Sequence, residues 1–487
     1  MVLRTLKSSL GLMGVLGFLL LAGCRATSET TLPVTTQSEP AREMFLAGRE
    51  LYENLRIGDA RELFDLAIKK DPLFAQAQLY RSLTPRSAAD GQKHRRHAVS
   101  LANKVSPGEK LMIAAMAGEG LGNSERAVEL LKELIGLHPQ DKRAHLFLGQ
   151  IYHFRIDDKK SAIKEYKRAI KIDKNYAPPY NLLGYVYADL DKFRDAEKAL
   201  DNYIRLIPDE PNPYDSMADL LTRQGRLEKA NEFFAKAFDV NSRFTVSQMK
   251  LGANLIMLEK YDEGRAAMKL AIEYERDNRT RGDYLAALSV SHLYSRDADA
   301  ALESLLEVSS LAQEFNLDAL LHRQLRYAAT IYLSSGQFSA IAAIKDKIED
   351  LIAQGGFEEN LLNRIHAGQA QMAILEKAAR KEFETAQSLL ADYKLKVDSE
   401  NPSYELANYH TIAGYLDVEM ENFEAALEHL EHGDLKALDL FNMARAHEGL
   451  GHMAKAKEHY RKHTQLYTYN LWYALTLPQS REALTRL

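Results

Sequence analysis

The side chains best suited to chemistry in this sequence are histidines, and they crowd its C-terminal end: His429, His432, His447, His452, His459 and His463. His459 and His463 are four residues apart and His429 and His432 three apart. On a helix each pair shares a face, and imidazoles one turn apart can converge on one zinc or nickel ion. Glu428, Glu448 and Glu458 lie nearby in the chain. His447 and His463, however, fall at repeat positions where side chains pack, which accounts for them without an ion. No metal and no cofactor is expected, and His459 and His463 stand as the only metal candidates. There is no His-Glu-x-x-His run, no Gly-x-Ser-x-Gly elbow and no Gly-rich phosphate loop. The sequence reads as a non-enzyme.

One cysteine, Cys24, excludes an internal disulfide and a Cys-based zinc site. It follows Leu21-Ala22-Gly23, after a positive segment with Arg4 and Lys7 and an apolar run from Leu10 to Leu20. That run is too short to span a bilayer comfortably. The whole N-terminus resembles a bacterial lipoprotein signal with its lipobox. The resemblance implies that residues 1–23 are a signal peptide removed before Cys24, and that the Cys24 thiol receives a diacylglycerol. Two or three acyl chains then hold the protein firmly to a membrane. Arg25 stands where an Asp would mark retention in the inner membrane, which implies the outer membrane, facing the periplasm. Residues 24–40 are rich in Thr, Ser and Pro and read as a polar tether, with a reach of roughly 50 Å.

Behind these groups the chain is organised by a repeat. Small residues Gly184, Ala218 and Gly252 recur at a spacing of 34. Ala196, Ala230 and Gly264 follow them by twelve, then Leu200, Phe234 and Met268, then Tyr203, Ala237 and Ala271. The pattern resembles the tetratricopeptide repeat, in which each unit is a helix–turn–helix pair that cannot bury its apolar stripe alone. The implied fold is all-α: a tetratricopeptide-repeat solenoid, a right-handed superhelix of about eleven units. Residues 41–276 form a regular array and 277–469 a degenerate one, with a soft joint at 275–283. The segment 470–487, with the only tryptophan, Trp472, reads as a capping helix. A second unit is irregular, because Pro85 stops its helix and the basic run Lys93-His94-Arg95-Arg96-His97 reads as a solvated loop. Near Asp157-Asp158 the turn carries one extra residue.

The same resemblance implies a groove lined by the first helix of each unit. Carried over by position, it consists of Arg143, Leu146, Gln150, His153 and Phe154, then Asn181, Tyr185, Ala188 and Asp189. Next come Asn212, Asp215, Asp219, Thr222 and Arg223, and last Val246, Met249, Ala253, Ile256 and Met257. An extended or helical peptide is expected there, with a basic residue near Asp215 and Asp219. The alternative places the partner on the convex face or an edge.

With 46% hydrophobic and 27% charged residues and a net charge of −5, the composition is that of an ordinary soluble protein. The charges are too mild and mixed for a nucleic-acid binder. The reading is a membrane-anchored periplasmic scaffold that binds protein or peptide partners in the cell envelope, in envelope, pilus or secretion assembly. The alternative is a regulator or carrier acting on the cell wall or on exported polysaccharide, with Tyr185, Tyr187 and Trp472 as the residues that would meet a glycan.

Overall fold

The computed structural model describes residues 31–487 apart from 119, 356, 358, 401–402 and 434–435. The signal peptide, Cys24 and the first residues of the expected tether lie outside the described residues. The chain divides into two compact units, one ending at Tyr176 and the other running from Ala177 to Leu487. Among the described residues it is helical throughout and no helix is long and apolar enough to cross a membrane. Among the described residues the helices come in twelve pairs followed by a single one, one pair more than the sequence suggests.

The first unit pairs α1 (Glu39–Glu53) with α2 (Ile57–Lys70), α3 (Ala75–Ser82) with α4 (Ala88–Leu101), α5 (Pro107–Ala117) with α6 (Ser124–Leu137), and α7 (Lys142–Ile151) with α8 (Lys159–Ile172). The second pairs α9 (Pro178–Ala188) with α10 (Phe193–Leu206), α11 (Asn212–Arg223) with α12 (Leu227–Val240), α13 (Thr245–Met257) with α14 (Tyr261–Tyr274), and α15 (Asn278–Tyr294) with α16 (Ala298–Glu314). It continues with α17 (Asp318–Ser334) and α18 (Phe338–Gln354), α19 (Glu359–Ala379) and α20 (Phe383–Glu400), α21 (Ser403–Glu419) and α22 (Phe423–Leu430), and α23 (Lys436–Gly449) and α24 (Met453–Thr464). The single helix α25 (Leu471–Arg486) ends the chain.

The small residues of the repeat sit where paired helices cross too closely for a larger side chain. A Cβ on Gly184 would lie 2.6 Å from Leu200 Cδ2, and one on Gly252 would lie 2.8 Å from the Gly264 carbonyl oxygen. Each pair then reverses through one residue of left-handed backbone: Asp191 (φ 55°), Gly225 (φ 72°) and Glu259 (φ 63°) in the three aligned copies. Gly225 takes that conformation freely, whereas the other two carry a penalty on the order of 1 kcal/mol. The extra residue near Asp157 is absorbed by a wider π-type turn over 152–156, after which Asp157 takes φ 63°.

The irregular second pair is held by a buried cation. Arg81, 1% exposed, reaches Asp65 on α2 at 2.6 Å and Asp90 on α4 at 2.9 Å, bridging the break that Pro85 makes. The basic run at 93–97 is not a loop but part of α4, begun by the Ser87 cap that accepts from the Asp90 amide. His94 points back to Gln78 at 2.7 Å. The joint expected at 275–283 is also shorter than its charge suggested. Only three residues separate α14 from α15, because Asp277 caps α15 through the Thr280 amide at 2.8 Å.

The end of the expected tether is docked rather than free. The Leu32 amide donates to Asp141 at 2.9 Å, and the Thr35 amide to Glu109 at 2.8 Å. Gln76 donates to the Pro33 carbonyl at 2.7 Å, and Leu32 and Val34 pack on the core of the first unit. Glu109 is fully buried and also closes the capping box of α5 with Ser106. A carboxylate buried to that extent needs these donors.

Two alanine substitutions separate crowding from helix propensity. Gly252→Ala is expected to lower unfolding free energy by about 1–3 kcal/mol, because its methyl group meets backbone. Gly136→Ala, where nothing lies within 4 Å, is expected to be neutral or to stabilise by up to about 1 kcal/mol. Urea unfolding followed by circular dichroism checks both.

Candidate functional site

In the second unit the structure brings the expected groove residues of α9 and α11 together. Tyr185 donates its hydroxyl to Ser216 at 3.3 Å and to Asp219 at 3.4 Å. Arg223 pairs with Asp189 at 2.8 Å, Asn181 donates to Asn212 at 3.4 Å, and Asn254 donates to Thr222 at 2.9 Å. Beside them lies a cavity of about 280 Å³ lined by Gly184, Tyr185, Ala188, Asp219, Thr222 and Arg223 among others.

The basic residue expected from a bound peptide is supplied by the chain itself. Lys250 on α13 places its Nζ 2.8 Å from both Asp215 and Asp219, while Ser247 donates to Asp215 at 2.7 Å. Asp215 is 4% exposed, with its carboxylate engaged by Lys250 and Ser247. Burial, then the Asp215 charge, push the Asp219 carboxyl above the usual carboxylate range against the pull of Lys250. Lys250 lies outside the positions that the family assigns to the groove. A signal for it was present: it stands one repeat beyond the acids, at separations of 35 and 31 residues.

The remaining expected positions are not brought into an open groove. Met249 and Ile256 are buried, in one core cluster with Leu471, Tyr473 and Leu477 from the chain's end, and Ala253 packs against that cluster. In the first unit Leu146 and His153 are buried, with His153 stacked on Phe154 at 4.2 Å, and Gln150 is half-buried. Arg143 is committed to Glu53 at 2.5 Å, beside Tyr80 and Tyr176.

The C-terminal segment does more than cap the last pair. Helix α25 packs on α24 and α23 and also on α15. The Tyr469 ring stacks on Tyr294 at 5.1 Å, and its hydroxyl donates to the Ala287 carbonyl at 3.0 Å. Tyr467 lies so close to Gly225 that a Cβ there would come within 2.7 Å of its ring. Arg481 pairs with Glu259 and Arg296 with Glu482. A cavity of about 660 Å³ results, framed by α17, α19, α21, α23 and the segment 466–472. Tyr327, Gln371, Asn408 and Trp472 line it. Its residues on α17 and α19 come from pairs whose period is loose, and its wall comes from the segment 466–472, distant from them in sequence.

The two metal candidates do not converge. His463 is fully buried, with its Nε2 3.0 Å from Thr476 Oγ1 on α25, whereas His459 is half-buried and bonded to the Lys455 carbonyl. No group of three or more His, Cys, Asp or Glu placed to hold a metal ion occurs among the described residues. Burial pushes the His463 imidazole down to about 4. Burial, then the charges of Arg326 and Arg364, bring His322 to about 4 as well.

Paired helices, each pair stacked on the next within its unit, define a repeat solenoid. Over residues 160–210 the repeats match tetratricopeptide-repeat models: "TPR repeat" over 160–191 and "Tetratricopeptide repeat" over 177–210. The chain is 25% identical over 215 residues to human "Protein O-mannosyl-transferase TMTC1", covering 43% of this chain and 24% of that protein. It is 27% identical over 149 residues to "Cell division cycle protein 27 homolog B" of Arabidopsis thaliana, covering 31% and 20%. The chain thus spans a quarter or less of the curated relatives it matches. The solved structure of Pseudomonas aeruginosa pilF is 19% identical and covers 43% of this chain and 96% of that one, with a TM-score of 0.34.

Two predictions follow from these charges. Lys250→Met leaves two largely buried carboxylates facing each other, with an expected loss of roughly 2 kcal/mol; adding Asp219→Asn should recover much of it in a double-mutant cycle. For His463 and His322 the unfolded chain binds a proton between about pH 4 and pH 6.5 that the folded chain does not. Stability is therefore complete above pH 6.5 and falls as pH drops toward 4, by on the order of 1 kcal/mol per pH unit for each imidazole. Thermal unfolding across that range should show a shallower slope for His463→Gln.

Proposed function

We propose that this protein is a lipid-anchored scaffold that holds polypeptide partners in the bacterial cell envelope, in the assembly of envelope, pilus or secretion machinery, and that it is not an enzyme. The observation that carries the reading is the 660 Å³ cavity on the first helices of four successive pairs, a volume that takes a segment of another chain. Support for the anchor is the lone Cys24 within Leu21-Ala22-Gly23-Cys24. The docking of Leu32 shortens the tether. From Cys24 to Leu32 the chain reaches at most about 28 Å, so the first unit stays close to the membrane. The outer membrane, facing the periplasm, is the proposed place. A glycan-handling role is the second reading, favoured by Trp472 and Tyr327 in the same cavity.

In-cell photo-crosslinking tests the reading, with the reactive group at Ala367 or Lys436 in the cavity and at Leu306 or Leu395, which are 66% and 69% exposed, as controls. Polypeptide adducts are expected at the cavity positions and not at the controls. Adducts at the controls alone would move the interface elsewhere, and none at any position would favour the glycan reading. Cys24→Ser should release the protein from the membrane fraction; retention there would remove the anchor.

A further inference from the structure

The docked N-terminal segment runs along one edge of the first unit. The helices of a pair are antiparallel, so the C-termini of α2, α4, α6 and α8 share an edge with the N-termini of α3, α5 and α7. The segment touches that edge at Asp71 behind α2, to which Thr36 donates, at Gln76 in α3, at Glu109 in α5 and at Asp141, the cap of α7. Exposed lysines stand on the same edge: Lys69 and Lys70 end α2, Lys104 follows α4, Lys110 lies in the first turn of α5 and Lys171 in the last turn of α8. Among the carboxylates here, Asp71 is engaged by Thr36, Asp173 by Lys142 and Glu39 by Arg42, while Glu109 and Asp141 are buried. Leu73, in the turn after α2, is 58% exposed, and Leu137, the last residue of α6, is 48% exposed.

We propose that this edge of the first unit rests on an anionic phospholipid surface, with its lysines at the headgroup phosphates and Leu73 and Leu137 at the boundary of the acyl chains. The inference rests on the lipid-anchor reading and adds which edge meets the membrane and which lipid it takes. The chain from Cys24 enters the fold at Leu32, beside Gly108 at the start of α5, where a Cβ would stand 2.8 Å from Leu32 Cδ1. A tether of at most about 28 Å that enters at one edge brings that edge to the surface. Between Cys24 and Leu32 the charges of Arg25 and Glu29 cancel, which leaves the lysines to attract the lipid. The opposite edge also exposes apolar residues, Leu121 and Phe154 among them, but the tether does not enter there. At about 8–10 Å between neighbouring helices, the lysines from α2 to α8 spread over some 25–30 Å, which suits an extended surface better than one small anion. Each lysine near an anionic membrane strengthens attachment about fivefold, and salt screens the effect.

Lysine acetylation by a water-soluble reagent, read by mass spectrometry, tests this on the protein as purified from cells. It is mixed with vesicles of phosphatidylcholine, alone or with phosphatidylglycerol, and flotation of the vesicles reads attachment separately. With phosphatidylglycerol, Lys69, Lys70, Lys104, Lys110 and Lys171 are expected to react about tenfold more slowly than with phosphatidylcholine alone. Exposed Lys160, at the opposite edge, should react equally on both. High salt, or Lys69→Gln with Lys70→Gln and Lys104→Gln, should remove the protection of Lys110 and Lys171. Circular dichroism of the triple variant confirms that these exposed substitutions leave the fold intact. Equal rates on both vesicles, protection of Lys160 instead of the five, or protection that survives the triple substitution overturns the proposal. Equal protection by inorganic phosphate without vesicles also overturns it, in favour of a free anion. Flotation with phosphatidylcholine in any of these cases keeps the anchor. If flotation and protection both require phosphatidylglycerol, the edge binds the membrane unaided and the anchor fails; flotation with neither vesicle removes both.

Discussion

Each helix pair buries its apolar stripe only against the next pair, and the rest of the structure depends on this. The two helices of a pair must approach until backbone nearly touches backbone, as at Gly252 and Gly264, or the stripe stays open to water. The same dependence leaves an unpaired face at each end of an array. In this chain α25 does not merely cover the last pair. It also packs on α15, so the end of the second unit is tied to helices almost two hundred residues earlier.

Charges register the stack. Lys250 with Asp215 and Asp219, Arg223 with Asp189, Lys142 with Asp173, and Lys345 with Glu376 each join residues 31 to 35 apart. Such pairs are modest in energy when exposed. Where one partner is buried, as Asp215 and Glu376 are, the pair also forbids slippage, because a shifted register would leave a carboxylate without its cation. This explains why groove positions taken from the family became structural positions here: the acids that would greet a basic peptide already hold a lysine.

The site that remains open lies among the degenerate pairs. In the regular pair α13 and α14, Ile256 and Met249 are buried in a cluster that Leu471, Tyr473 and Leu477 from the chain's end complete. The longer helices α17, α19 and α21, together with the crossing segment 466–472, leave a space open.

The sequence by itself determined the helix pairs, the small residues at their crossings, the left-handed turn at Gly225 and the packing character of His463. All of these are local or depend on one repeat length, so spacing alone exposes them. Tertiary structure alone decided that Leu32 and Thr35 dock on Asp141 and Glu109, that Lys250 satisfies Asp215, and that α25 returns to α15. These contacts join positions from 31 to almost two hundred residues apart, and side-chain reach and burial select them. A period can place a residue on a face, but only the folded chain shows what stands opposite it.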